Sequence, residues 1–279
     1  MSRKVQVAFI GGGNMARCLI GGLVGAGTHG ADIHVAEPNA ELCAALTRDF
    51  GVKAGQDNDA AARAARVWVL AIKPQVMKTV CSGLRDAAHA TQPLVISIAA
   101  GIRIEQIARW LCGDGAEQPA IVRCMPNTPA LIGAGASGLC ANARVDNEQR
   151  RLAEHILGAA GTTEWIRDEA LMDTVTALSG SGPAYFFLLV EALEDAAVKQ
   201  GLPRETARAL AIQTCFGAGR MLREEREAPA ELRRRVTSPG GTTAAALDAF
   251  GAGGFHELVA KAVAAATARG GELSAQLGD

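Results

Sequence analysis

Val5-Gln6-Val7-Ala8-Phe9-Ile10-Gly11-Gly12-Gly13-Asn14-Met15-Ala16 is a short β-branched run that ends in glycines, and Leu19, Ile20 and Leu23 come next at helical spacing. A G-x-G-x-x-A pattern between a strand and a helix has a mechanical reading. Gly11 makes the turn, Gly13 lets the backbone approach a pyrophosphate, and small Ala16 permits close packing of helix on strand. Glycine-rich strand-helix turns also occur without a ligand, so the stretch gains weight only from its neighbours along the chain.

Those neighbours alternate between strand and helix. Asp32-Ile33-His34-Val35-Ala36 ends at Glu37, at about the distance where dinucleotide folds read the adenosine ribose. A carboxylate there favours a free 2'-hydroxyl over a 2'-phosphate, and no basic residue comes before Arg48; the alternative is a solvated strand end. Val67-Trp68-Val69-Leu70-Ala71-Ile72 is apolar throughout, as a parallel strand covered on both faces should be, and Lys73-Pro74 stops it. Leu94-Val95-Ile96-Ser97-Ile98 leads to Ala99-Ala100-Gly101, and Ala120-Ile121-Val122-Arg123-Cys124-Met125 leads to Pro126-Asn127-Thr128-Pro129. Three strand ends thus carry small or turn-forming residues where a nicotinamide half could lie. Intervening segments such as 104–111 have helical period, and the whole reads as an N-terminal doubly wound sheet, α/β in class.

Beyond short strand candidates at 138–140 and 164–166, nearly everything from Asp168 onward reads as helix, broken at 179–183, 201–203, 228–229, 238–241 and 251–254. The spacing predicts a boundary near 165, with a dinucleotide-binding domain over 1–165 and an all-α domain over 166–279. Tyr185-Phe186-Phe187-Leu188-Leu189-Val190 is apolar nearly all round its helix, which an interlocked dimer would bury. Val236-Thr237-Ser238-Pro239-Gly240-Gly241-Thr242-Thr243 runs into Ala244-Ala245-Ala246. Pro239 fixes a turn, the glycines open further backbone angles, and Thr242 or Thr243 can cap the next helix, whose N–H groups suit a carboxylate or phosphate. The same residues also serve as a plain interhelical turn. The charged runs 220–227 and 231–235 read as solvated helix ends, with a phosphate-binding role left open for the second.

Composition narrows the partners. The 279 residues are 49% hydrophobic and only 4% aromatic, which suits Ala-, Leu- and Gly-packed helices over a base-stacking surface. Lys and Arg number 28 against 29 Asp and Glu, a formal charge of -1, so no basic field draws the chain to nucleic acid or an anionic membrane. The apolar run after Met1-Ser2-Arg3-Lys4 is too short for a signal segment or a span, and a cytoplasmic protein with a small-molecule partner is expected. Seven scattered cysteines with no C-x-x-C pair, and five histidines without ligand spacing, predict neither a disulfide framework nor a metal site.

The segment Met172 to Tyr185 with Ser179-Gly180-Ser181-Gly182-Pro183, then Gly201-Leu202-Pro203-Arg204, Pro229-Ala230-Glu231-Leu232 and the 236–243 loop, closely resembles the pyrroline-5-carboxylate reductase family. Phe9 to Met15 and Met125-Pro126-Asn127-Thr128-Pro129-Ala130 look like that family's N-terminal motifs, so the likeness spans essentially the whole chain. It implies the last step of proline synthesis, hydride transfer from NADPH, with NADH as an alternative, to the imine carbon of 1-pyrroline-5-carboxylate. By residue match, Ile10, Gly11, Gly12, Gly13, Asn14 and Met15, Asn58, Ala71, Ile72, Lys73 and Pro74, and Ala99 and Ala100 line the dinucleotide. Ser238, Gly240, Gly241, Thr242 and Thr243 hold the substrate, and Thr243 donates a proton to the imine nitrogen or orients it. A homodimer or a ring of dimers, a decamer, is implied as well. Glu37 stands where many relatives have a small polar residue, which argues against strict NADP preference, and no role carries over to Arg226 or Arg235.

The chemistry asks little of side chains. A protonated imine is already electrophilic, so rate comes from holding donor and acceptor carbons together and excluding water. A hydroxyacid dehydrogenase on a similar sheet is the enzymatic rival, but reducing a carbonyl calls for a positioned acid, and the helix after Pro183 offers no lysine until Lys199, about four turns on. A non-catalytic nucleotide-binding scaffold is the other rival, and the paired loop motifs weigh against it.

Overall fold

A computed structural model describes residues 5–113 and 117–277; the Met1-Ser2-Arg3-Lys4 start lies outside the described residues. Strands β1 (Val7–Ile10), β2 (Ile33–Ala36), β3 (Lys53–Gly55), β4 (Val67–Leu70), β5 (Leu94–Ser97), β6 (Ala120–Met125), β7 (Gly135–Ala141) and β8 (Gly161–Trp165) form one sheet in the order β3-β2-β1-β4-β5-β6-β7-β8. β1 to β6 are parallel, β7 is antiparallel to β6, and β8 is parallel to β7. The order reverses direction between β1 and β4, which is the switch point of a doubly wound sheet.

Helices α1 (Asn14–Gly25), α2 (Ala40–Phe50), α3 (Asn58–Arg63), α4 (Pro74–Gly83), α5 (Arg85–Thr91), α6 (Ile104–Cys112) and α7 (Asn147–Gly158) accompany the strands. The central strands are buried on both faces, and period-two alternation divides their side chains between two cores. Phe9, Val35, Val69 and Val122 pack with Leu19, Ile20 and Leu23 of α1, Leu46 of α2 and Ile156 of α7. Ala8, Ile10, Trp68, Leu70, Val95 and Ile121 pack with residues of α3 to α6 on the other side. Trp68 is fully buried, and its indole N–H donates to the Ala62 carbonyl at 2.9 Å, so its polar edge is satisfied inside the core.

The expected strands lie where the apolar runs place them, with ends trimmed. Asp32 closes a 3-10 turn ahead of β2, and Ala71, Ile72 and Ile98 fall just past β4 and β5. The three-residue β3, the full length of β7 and the start of β8 at Gly161 go beyond the expected strands; Lys53-Ala54-Gly55 and Gly135-Ala136-Ser137 carry no β-branched run.

From Met172 the chain is helical: α8 (Met172–Val175), a π-helical turn over Thr176–Gly180, α9 (Gly182–Lys199), α10 (Arg204–Glu224), α11 (Pro229–Arg235), α12 (Thr242–Ala252) and α13 (Phe255–Gln276). Two compact units result, one of residues 1–180 with 266–279 and one of 181–265. The compact division therefore falls after the π-helical turn and inside α13, beyond the 165 boundary expected from the change in pattern. In the second unit α9 and α10 form a hairpin. Its clasp is the buried Glu194, which accepts from Arg208 at 2.9 Å and from Arg204 at 2.8 Å. The rest of α9 is short of cover, with Phe186 at 59%, Phe187 at 69% and Leu188 at 65% exposure.

The Arg208 guanidinium, helped by that of Arg204, holds the Glu194 carboxyl below the usual carboxylate range. A depressed carboxyl stabilises the fold above its ordinary pKa, and that contribution disappears as pH falls through the depressed value. Glu194→Gln should therefore lower the melting temperature at neutral pH, and the gap from wild type should narrow as pH drops below about 4. Equal gaps at both ends of a pH series would show that the carboxylate's charge plays no part in the clasp.

Candidate functional site

Where β1 ends, Gly11 takes φ +99°, and its N–H donates to the Ala36 carbonyl of β2 at 2.8 Å. The Ala71 N–H donates to the Ile10 carbonyl at 2.8 Å, and the Glu37 N–H to the Gly55 carbonyl at 2.9 Å. The Ile98 N–H reaches the Leu70 carbonyl at 3.2 Å. These bonds continue the sheet ladder one step past the strands. As a result Ile10 to Met15, Glu37, Asn58, Ala71 to Pro74, and Ala99 and Ala100 all come to the carboxyl edge of β1 to β5.

The glycines divide the work. A Cβ on Gly11 would fall 2.4 Å from the Ala71 carbonyl oxygen, so only glycine allows the two strand ends to touch. A Cβ on Gly12 would meet Leu46 at 2.8 Å and Glu37 at 3.0 Å, whereas one on Gly13 would meet nothing within 4 Å among the described residues. Gly13 is the N-cap residue of α1 and brings no side-chain cap. Open space beside a bare backbone at a helix start fits a pyrophosphate, which would take its hydrogen bonds from main-chain N–H groups.

Glu37 is fixed on both oxygens. One accepts from the Gly12 N–H at 2.9 Å and the other from the Asn39 N–H at 3.0 Å. Its backbone carbonyl accepts from the Cys43 thiol at 3.1 Å. The carboxylate thus stands beside the glycine turn and is no loose strand end. Asn58 is the first residue of α3, after the Asp57 cap, and lines a cavity of about 710 Å³ with Gln56, Thr79 and Leu84.

A second cavity, of about 360 Å³, is lined by Met15, Ala71, Ile72, Lys73, Asn127 and Gly180, among others. In sequence Asn127 belongs to a strand-end turn and a motif of the resemblance without a role of its own, yet its amide braces this wall. Its Nδ2 donates to the Ser179 carbonyl at 3.1 Å, and its Oδ1 accepts from the Ala136 N–H at 2.9 Å. A polar amide between two prolines at the end of an apolar strand is the signal that marks it. Ala99 is buried with its N–H toward the Ser97 hydroxyl at 3.4 Å, and Ala100 is exposed.

The expected substrate residues belong to the second unit. Ser238 to Gly241 make a tight turn closed by the Gly241 N–H donating to the Ser238 carbonyl at 3.0 Å. Pro239 pre-sets the first turn angle, and Gly240 takes φ +73°, the conformation that favours glycine. Gly241 is the N-cap of α12, and Thr242 and Thr243 are its first two helical residues. Neither threonine is the cap, contrary to expectation, because the turn delivers the chain to the helix one residue earlier. Thr243 is half-buried, Ser238 and Thr242 are exposed, and among the described residues α12 has no side-chain cap bond. In the 231–235 run Arg234 pairs with Glu231, and Arg235 with Glu227 at 3.0 Å, the pattern of a solvated helix end.

Comparison with known proteins matches two families to separate stretches of the chain. The family described as pyrroline-5-carboxylate reductase dimerisation matches residues 169–273, and the one described as NADP oxidoreductase coenzyme F420-dependent matches residues 6–101. The chain is 50% identical over 273 residues to a pyrroline-5-carboxylate reductase of Pseudomonas aeruginosa, covering 98% of each. It is 37% identical over 270 residues to that of Escherichia coli, covering 96% of this chain and 98% of the other. A solved pyrroline-5-carboxylate reductase from Coxiella burnetii superposes with a TM-score of 0.93 at 44% identity, covering 97% of this chain and 99% of that one. A Plasmodium falciparum pyrroline carboxylate reductase with NADP bound gives 0.81 at 29% identity, covering 97% and 98%.

Glu37 sets a measurable expectation. A carboxylate fixed beside the glycine turn would oppose the 2'-phosphate of a dinucleotide bound there, so Glu37→Ser should raise the ratio of NADPH to NADH in kcat/KM by about tenfold or more. Steady-state rates with both dinucleotides decide it, and an unchanged ratio would mean that Glu37 only braces Gly12.

Proposed function

The chain belongs to the pyrroline-5-carboxylate reductase family, and from that premise we propose that it reduces 1-pyrroline-5-carboxylate to L-proline, the last step of proline synthesis, with NADPH and alternatively NADH as reductant. The observation that carries the reading is 50% identity to the Pseudomonas aeruginosa reductase over nearly the whole chain. It is supported by the glycine turn, the fixed Glu37 and the strand-end loops gathered on one sheet edge. Dinucleotide-binding residues over 1–165 and substrate and dimerisation residues over 166–279 form the proposed functional division, and the start of the dimerisation match at residue 169 supports it.

The bound dinucleotide supplies the hydride. For its part, the chain offers bare backbone at Gly13 for the pyrophosphate, Glu37 for the ribose hydroxyls, and Ala71 to Pro74 with Ala99 and Ala100 along the remaining strand ends. We assign the substrate carboxylate to the Ser238–Thr243 turn, where Gly240, Gly241, Thr242 and Thr243 bring main-chain N–H groups and hydroxyls to the start of α12. Thr243 orients the imine nitrogen, which arrives already protonated from water, so no acid of matched pKa is needed. The cytoplasm is the proposed setting, in keeping with seven cysteines spaced as single thiols.

The exposed apolar residues of α9, together with the dimerisation-family match, support a homodimer, with a ring of five dimers as the finer proposal. A folded, active monomer in light scattering at micromolar concentration would contradict it. For the turn, 1-pyrroline, which lacks the carboxylate, should lose about 3 to 5 kcal/mol of transition-state stabilisation, roughly a hundred- to several-thousand-fold in kcat/KM. Thr243→Val should cost only about 1 kcal/mol, one neutral hydrogen bond, whereas loss of a proton donor would cost about a hundredfold. Equal kcat/KM for both substrates on the wild type would remove the carboxylate grip.

A further inference from the structure

We propose that the end of α13, through Ser274 and through Leu277 just past it, is a positioning element for the loop after β5 that carries Ala99 and Ala100. The inference rests on the assignment of those two alanines to the dinucleotide.

Arg123 is a charged residue inside the apolar strand β6 and only 4% exposed. A buried guanidinium needs carboxylates and further hydrogen bonds around it. It finds Glu169 at 3.1 Å and Asp173 at 3.5 Å. Two carboxylates around one guanidinium leave acceptor capacity to spare, and both use it on other elements. Glu169 accepts from the N–H of Ile104, the first residue of α6, at 2.8 Å. Asp173 accepts from the Ser274 hydroxyl at 3.4 Å, and Ser274 is 1% exposed. The cluster therefore ties the far end of the 99–103 loop to one side of the ion group and the end of α13 to the other.

Close approach of the helix end to the loop closes the circuit. Gly101 stands at φ +76°, and a Cβ there would lie 3.2 Å from Leu277 Cδ1 and 3.7 Å from the Ser274 hydroxyl. Leu277 packs against the same apolar cluster that holds Ala99, Ile102 and Ile104. Approach of the helix is made easy by Gly270, where a Cβ would come 3.3 Å from that of Asp173. Ala99, Ala100 and Gly101 have almost no side chain with which to fix themselves, so their order is supplied from outside. A loop held ready for its ligand binds without an ordering cost, and one left loose shows that cost as weaker affinity.

The test uses full-length Ser274→Ala, Leu277→Ala, the double variant, and Ser274→Thr, which keeps the hydroxyl. Dissociation constants for NADPH and NADH come from fluorescence titration, and hydrogen exchange is followed over residues 98–104. The double variant should bind both dinucleotides about tenfold more weakly, exchange faster at 99–104, and hold its KM for the imine within about twofold. Ser274→Thr should bind as wild type, and Ser274→Ala against Ser274→Thr carries the same comparison should the double variant not fold. Unchanged affinity and exchange, or a lowered melting temperature with unchanged affinity, would overturn the inference. If the wild type turns over the imine and no variant changes dinucleotide affinity, this inference alone fails, whereas a wild type that binds no dinucleotide sinks the assignment of Ala99 and Ala100 and the inference with it.

Discussion

Backbone meets backbone where β1 and β4 end, and the carboxyl edge of the sheet is built from that contact. A side chain on Gly11 would overlap the Ala71 carbonyl, so the glycine is what lets the two central strands finish side by side. With the ends in register, the Ile10 carbonyl takes the Ala71 N–H and the chain beyond each strand is aimed at the same edge. Gly12 is then hemmed in by Leu46 and Glu37, while Gly13 looks onto open space. One steric requirement thus sets both where the chain turns and where a ligand can come closest.

Much of this is legible in the sequence because it is local. The glycine turn, the apolar parallel strands and Glu37 at the end of β2 are each defined within a dozen or so residues, and hydrophobic period reports them directly. The same local logic misplaces the helix cap at 242–243, since a turn of Pro239 and Gly240 hands over to Gly241 as cap, a one-residue matter of backbone angle that composition does not encode. β3 escapes because three residues of Lys, Ala and Gly have no strand signature of their own and pair only because β2 is already there. The Arg123 cluster escapes for a different reason. An arginine in an apolar strand announces that it needs partners, but Glu169, Asp173 and Ser274 are remote in sequence, and no period or motif connects them.

The two compact units use polarity in opposite ways. In the sheet unit, charge is buried where it fastens loops, as at Arg123, while the strand-end loops carry Glu37 and Lys73, with Asp57 and Asp59 beside Asn58. In the helical unit, Glu194 with its two arginines stitches one hairpin, and much of the remaining surface of α9 is apolar. Chemistry that needs little from side chains is compatible with both choices. An imine reductase spends its sequence on placing backbone and excluding water, and leaves few of the acid-base pairs by which most active sites announce themselves.

The close approach of Leu277 to Gly101 brings together residues separated by most of the chain. A contact of that span closes a long loop, at an entropy cost that the short strand-to-helix connections of the sheet do not carry. The sheet can therefore be complete, strand by strand, while the loop beyond β5 still waits for the end of α13. The loop beyond β5 is thus the part of the carboxyl edge whose order depends on the far end of the chain, and on mild heating or in dilute denaturant it should slacken before the core strands lose any protection.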